Sequence, residues 1–109
     1  MEHKMKLLED PFMRILNGSK EVEFRLYDEK RRKIRVGDTI EFSKLPDLTE
    51  KITVEVVDLY KAKTFRELLS NLGYQGKELE EKVQGMYSIY SKDQEQEYGV
   101  LGIKIKLLS

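Results

Sequence analysis

Asn17-Gly18-Ser19-Lys20-Glu21-Val22-Glu23-Phe24-Arg25 reads as a turn that opens into a strand. Asn-Gly is a strong turn dipeptide because both residues tolerate a positive φ at low cost. From Glu21 to Leu26 the residues alternate, with Glu21, Glu23 and Arg25 on one face and Val22, Phe24 and Leu26 on the other. A period of two is the mark of a half-buried strand. The apolar face can anchor in a core, while the other carries a row of charge entered from Lys20. Mixed charge on a strand face is commonly a solvated surface, so spacing alone leaves both that reading and a ligand site open.

Working outward, residues 3–8 form a short candidate strand, with Met5 and Leu7 facing one way and Lys4 and Lys6 the other. A one-to-two-turn helix follows, in which Asp10 is the expected N-cap and Pro11 the first helical position. Phe12, Ile15 and Leu16 fall at helical spacing, and Gly18 ends the helix. Beyond the strand at 21–27 lies the polar connection Asp28-Glu29-Lys30-Arg31-Arg32-Lys33. Val36-Gly37-Asp38 turns into a strand at 39–42, and 43–51 reads as a loop. Residues 52–60 make the clearest strand, with a shift at Val57 and Leu59 that fits a bulge. Thr64-Phe65-Arg66-Glu67 is a capping box that opens a helix ending at Gly73. A second helix is expected over about 77–90, a polar loop over 91–97 and a long apolar strand over 98–108. Short helices between strands disfavour a doubly wound parallel sheet. The expected fold is α+β: a small mixed or antiparallel β-barrel of about five to six strands flanked by helices, with the last strand central and paired to an early one.

The 109 residues are enough for one domain with its own core. Hydrophobic content of 39% with 37% charged residues points to a globular chain with a densely charged surface. The absence of Cys excludes disulfides, thiolate catalysis and Cys-ligated metal, and fits a reducing compartment. A single His excludes a polyhistidine metal site within one chain. No metal or cofactor is expected. No apolar run approaches membrane-spanning length and no signal-peptide core is visible, so a cytoplasmic protein without membrane attachment is expected. Twenty basic residues balance twenty acidic ones, so a nucleic-acid partner must be argued from a local patch. High Lys and Glu without Cys is also similar to hyperthermophile composition.

Glu23 beside Lys20 and Arg25 is first a structural ion pair. Lys20 can serve as nucleophile or base only where its surroundings depress its pKa, and Arg25 is a natural anion clamp. Lys30, Arg31, Arg32 and Lys33 with Arg35 form a basic cluster, either a solvated loop balanced by Asp28 and Glu29 or a contact to a phosphate backbone. Six of ten aromatics are tyrosines. Tyr60, Tyr87, Tyr90 and Tyr98 sit at element ends, where most pack and one or two can stack a base. His3 reads as a packing or surface residue.

Pro11-Phe12 with Ile15, Gly18-Ser19-Lys20, Glu23-Phe24-Arg25-Leu26, Asp28-Glu29-Lys30-Arg31 and Val36-Gly37-Asp38-Thr39-Ile40-Glu41-Phe42 together resemble an ASCH domain of the PUA-like superfamily. The Gly-x-Lys-x-x-Glu-x-Arg pattern at Gly18, Lys20, Glu23 and Arg25 is its most recognisable part. Tyr60 with Thr64-Phe65, and Tyr98-Gly99-Val100, are similar as well, so the resemblance spans nearly the whole chain. It implies a small β-barrel whose cleft, lined by the Lys20–Arg25 segment, receives RNA or a modified nucleoside. Some bacterial members hydrolyse N4-acetylcytidine with a Lys, a Thr two residues before the Arg, and a downstream Glu. Here the Lys is Lys20, Glu23 stands at the Thr position, and the downstream Glu falls near Gln75, with Glu78 the nearest carboxylate.

The leading expectation is an RNA- or nucleotide-binding module, expected as a monomer, with Lys20, Glu23, Arg25, Lys30, Arg31, Arg32, Tyr60 and Tyr98 as ligand residues. The alternative is a small hydrolase, either an amidohydrolase with Lys20 and Glu23 catalytic or a ribonuclease in which Lys20 and Arg25 stabilise a phosphorane. A protein-interaction adaptor would respond to no nucleic acid.

Overall fold

Alternating burial defines β1 (Glu2–Leu7): His3, Met5 and Leu7 are buried while Glu2, Lys4 and Lys6 are exposed. The chain continues through α1 (Glu9–Leu16), β2 (Val22–Leu26), a 3-10 turn at Arg31–Lys33, β3 (Thr39–Lys44) and β4 (Lys51–Ala62). It then forms α2 (Phe65–Asn71), α3 (Gly76–Tyr87), α4 (Lys92–Tyr98) and β5 (Val100–Leu107). These elements come from a computed structural model, which describes residues 1–108. The fold is α+β. Five strands form one mixed sheet in the order β1-β3-β4-β5-β2. β1 runs parallel to β3, with Met5 opposite Phe42, and β3 runs antiparallel to β4, with Ile40 opposite Val54. β5 is interior and pairs with the early strand β2, as its apolar run predicts, although β4 takes the middle place.

Two compact units make up the chain. The first comprises Met1–Glu23, Ile34–Leu59 and residues 103–108. Its buried residues include Met5, Phe12, Ile15, Phe42, Val54 and Ile103. α1 lies against β3, and burying Phe12 and Ile15 contributes roughly 1.5–3 kcal/mol each. The second unit comprises Phe24–Lys33 and Tyr60–Gly102. Leu26, Phe65, Leu68 and Val100 form its buried cluster, with Tyr60, Tyr90 and Tyr98 packed against it. Phe65 stacks on Tyr90 with ring centroids 5.6 Å apart, a geometry worth about 0.5–1.5 kcal/mol beyond the area buried.

Four elements differ from the expectation. α1 begins at Glu9, with Leu8 as its N-cap and no side-chain cap. Asp10 and Pro11 lie inside its first turn, where the missing proline N–H is still harmless, and Asp10 pairs with Arg14 at 3.8 Å. The loop expected over 43–51 is shorter, because β3 runs to Lys44 and β4 starts at Lys51. Lys44 N–H donates to the Glu50 carbonyl at 2.9 Å, and their side chains pair as well. α3 stops at Tyr87, leaving Tyr90 beyond it. The polar stretch expected as a loop at 91–97 contains α4, opened by a full capping box between Ser91 and Gln94. Its Ser-x-x-Gln spacing matches the capping signal, but its lack of apolar periodicity hides the helix.

Candidate functional site

The Asn17–Lys20 turn is built from the end of α1. Gly18 takes φ +83°, a conformation that costs an L-residue about 1–2 kcal/mol, and its N–H donates to the Ile15 carbonyl. Ser19 N–H donates to Asn17 Oδ1 at 2.9 Å, and the Ser19 hydroxyl donates to the Arg14 carbonyl at 3.3 Å. Lys20 N–H donates to the same carbonyl at 3.0 Å. The turn is thereby fastened to the helix, and Lys20 enters β2 in a set position.

The Lys20 ammonium lies 3.3 Å from Glu23 Oε1, with both side chains largely buried. Glu23 is 5% exposed, so the solvated-face reading fails at that residue. The alternation predicts Glu23 on an open charged face, whereas the fold covers it and leaves Val22 and Phe24 half-buried. A charge held out of water needs a partner, and Lys20 supplies one. Arg25 is half-buried on β2.

In the connection after β2, Asp28 acts as a local anchor. Its carboxylate accepts from Arg31 N–H at 3.0 Å and from the Arg31 guanidinium at 3.0 Å. Arg32 Nε donates to the Tyr27 carbonyl at 3.1 Å. The Arg32 guanidinium and the Lys61 ammonium each lie 4.8 Å from the Tyr27 ring centroid. Arg31 and Arg32 are therefore spent partly on local structure, and Tyr27 is an aromatic that the sequence reading passes over.

Two hollows lie in the second unit. One, of about 410 Å³, is lined by Asp28, Glu29, Lys30, Lys33 and Tyr98. The other, of about 700 Å³, has Lys63, Thr64, Lys92, Glu95, Gln96 and Tyr98 in its wall. The structure thus brings together Lys30 and Tyr98 from the predicted set. Tyr60 packs on the buried cluster and lines neither hollow.

Glu95 is the residue that sequence reasoning misses. It is 6% exposed and accepts from Phe65 N–H at 2.7 Å and from the Tyr87 hydroxyl at 2.8 Å. Burial, and then this bond to a carboxylate, hold the Tyr87 hydroxyl above its ordinary pKa. Gln75 is the N-cap of α3, and Glu78 sits in its exposed first turn.

A family model described as the ASCH domain matches residues 5–109. The crystal structure of the hypothetical protein PH0355 is 34% identical, with a TM-score of 0.86 over 99% of this chain and 100% of that one. The solution structure of protein PF0455 from Pyrococcus furiosus is 36% identical, with a TM-score of 0.76 over 100% and 99% of the two chains. A mutant of the ASCH protein from Zymomonas mobilis, 15% identical, superposes at a TM-score of 0.62 over 96% of this chain and 67% of that one, a likeness of fold. No curated protein matches the chain in sequence.

Proposed function

The chain belongs to the ASCH domain family, and from that premise we propose that it is an RNA-binding module. The observation that carries this reading is the hollow in which Lys30 and Lys33 stand beside Tyr98. Single-stranded nucleic acid is bound by cations that track the phosphates and by aromatic rings on which bases stack. Arg25, on the segment that resembles the family motif and in the same unit, adds to the cations available there. Among the described residues no helix is long and apolar enough to cross a membrane.

Fluorescence anisotropy with a labelled octauridylate tests the reading. Lys30→Ala/Lys33→Ala is expected to weaken binding about tenfold or more while the thermal melt is unchanged. Unaltered affinity in a folded variant rejects the site.

A second reading is a hydrolase acting on a modified nucleoside such as N4-acetylcytidine. The Lys20–Glu23 pair favours it: an ammonium and a carboxylate, both largely withdrawn from water, stand 3.3 Å apart. Once its proton passes to Glu23, Lys20 would either take a proton from the attacking water or attack the acetyl carbonyl itself, forming an acyl-lysine that water then hydrolyses to acetate; Glu23 returns a proton to the cytosine amine as the amide C–N bond breaks. Mass spectrometry of N4-acetylcytidine incubated with the protein is expected to show cytidine and acetate, lost in a folded Lys20→Ala variant. No turnover in the wild type removes this reading.

A further inference from the structure

Resting on the RNA-binding reading, we propose that the ligand is a strand of at least two consecutive ribonucleotides laid across Tyr98, one in each hollow. Tyr98 stands in the wall of both hollows and is only partly buried where it packs on the cluster of this unit, so a chain running from the smaller space to the larger passes this residue. Volumes of about 410 and about 700 Å³ fall in the range of small-molecule sites, ample for a nucleotide apiece.

The charge pattern repeats on the two sides of the ring. Lys30 and Lys33 face the smaller hollow, and Lys63 and Lys92 the larger. Each hollow also holds two carboxylates, Asp28 and Glu29 in one and Glu95 and Glu97 in the other. In each, one carboxylate is already engaged: Asp28 by Arg31, and Glu95 by Phe65 N–H and the Tyr87 hydroxyl. Each hollow thus offers a pair of lysines together with carboxylate acceptors. A bare polyanion offers nothing to such carboxylates, whereas a ribonucleotide offers both a phosphate for the lysines and hydroxyl donors for the acids. Lys92 is steadied by the Tyr87 ring, 5.4 Å from its ammonium, and Tyr87 is in turn bonded to Glu95. The Lys92 ammonium and the engaged Glu95 carboxylate of the larger hollow are therefore linked through one tyrosine, which leaves Glu97 as the acceptor. A mononucleotide engages one lysine pair, and a strand engages both.

The test compares uridine 5′-monophosphate with a labelled octauridylate by anisotropy and competition across a salt series. The proteins are the wild type, Lys30→Glu/Lys33→Glu and Lys63→Glu/Lys92→Glu. The octauridylate is expected to bind at least tenfold more tightly than the monophosphate. Each double variant is expected to lose at least tenfold in octauridylate affinity and to flatten the salt slope by about 1.4, the value for two single-strand phosphate contacts. Weakening by the Lys30/Lys33 reversal alone overturns the two-hollow path and leaves the RNA-binding reading standing. Equal affinity for monophosphate and octauridylate overturns it too. RNA affinity unmoved by either variant overturns both.

Discussion

Asp38 contributes more to the first unit than its place in a surface turn implies. Its carboxylate lies 2.8 Å from His3 Nε2, accepts from Arg35 N–H at 3.0 Å and faces the N-terminal ammonium at 3.3 Å. The bond to His3, followed by that to the Arg35 backbone, holds its pKa down at about 2, against 3.8 for a free side chain. Between those values the folded state binds fewer protons than the unfolded state, so stability rises with pH. The contribution is complete above about pH 4 and is lost as pH falls toward 2. Urea midpoints measured across that interval are expected to fall for the wild type and to fall less for Asp38→Asn; parallel curves would show that Asp38 is not the group responsible. Of the two alternatives open for His3 in the sequence, packing or surface, its burial selects packing, but its partner was not legible, since 35 residues separate them. Glu95 teaches the same lesson. Gln94-Glu95-Gln96-Glu97 holds no mark that separates Glu95 from its neighbours, and its role appears only once Phe65 N–H, 30 residues distant, is brought to it.

Among the elements, β2 and α4 show where local pattern succeeds and where it fails. In β2 the period of two names a strand correctly, but it assigns Glu23 to an open face because alternation cannot tell whether a second face is covered. In α4 the reverse holds. Lys92–Tyr98 has no apolar stripe, so periodicity reads it as loop, while Ser91 and Gln94 still close both bonds of a capping box at 3.1 and 2.9 Å. Ser91→Ala is expected to destabilise the protein by about 1 kcal/mol. Hydrogen exchange is the sharper probe: the Gln94 amide, which donates to Ser91 Oγ, is expected to lose protection. Unchanged exchange at that amide would mean that tertiary packing alone starts the helix. Gly99, which follows α4, takes φ +73°, and a Cβ there would stand 3.2 Å from the Ala62 carbonyl oxygen. The Tyr98-Gly99-Val100 entry into β5 thus depends on glycine.

For the whole molecule, balanced charge restricts how the proposed RNA ligand can be met. Twenty cations against twenty anions give no long-range field to steer a polyanion. With five contacts from Arg25, Lys30, Lys33, Lys63 and Lys92, log affinity against log salt is expected to fall with a slope no steeper than about −3.5, at roughly 0.7 per phosphate. Titrations between about 50 and 200 mM salt measure it, and a slope near −10 would replace the local site with a diffuse basic surface. By itself the sequence determined the α+β class, most strand positions, the ends of α1 and α2 at glycine, and the resemblance to the ASCH family. Those features are local, because alternation, caps and turns are set by residues within a few positions of one another. Only the tertiary structure decided that Glu23 is buried against Lys20, that Glu95 bridges α2 and α3, and that Tyr98 lines two hollows. Burial and charge pairing depend on which distant segments pack together, and no short stretch of sequence contains that information.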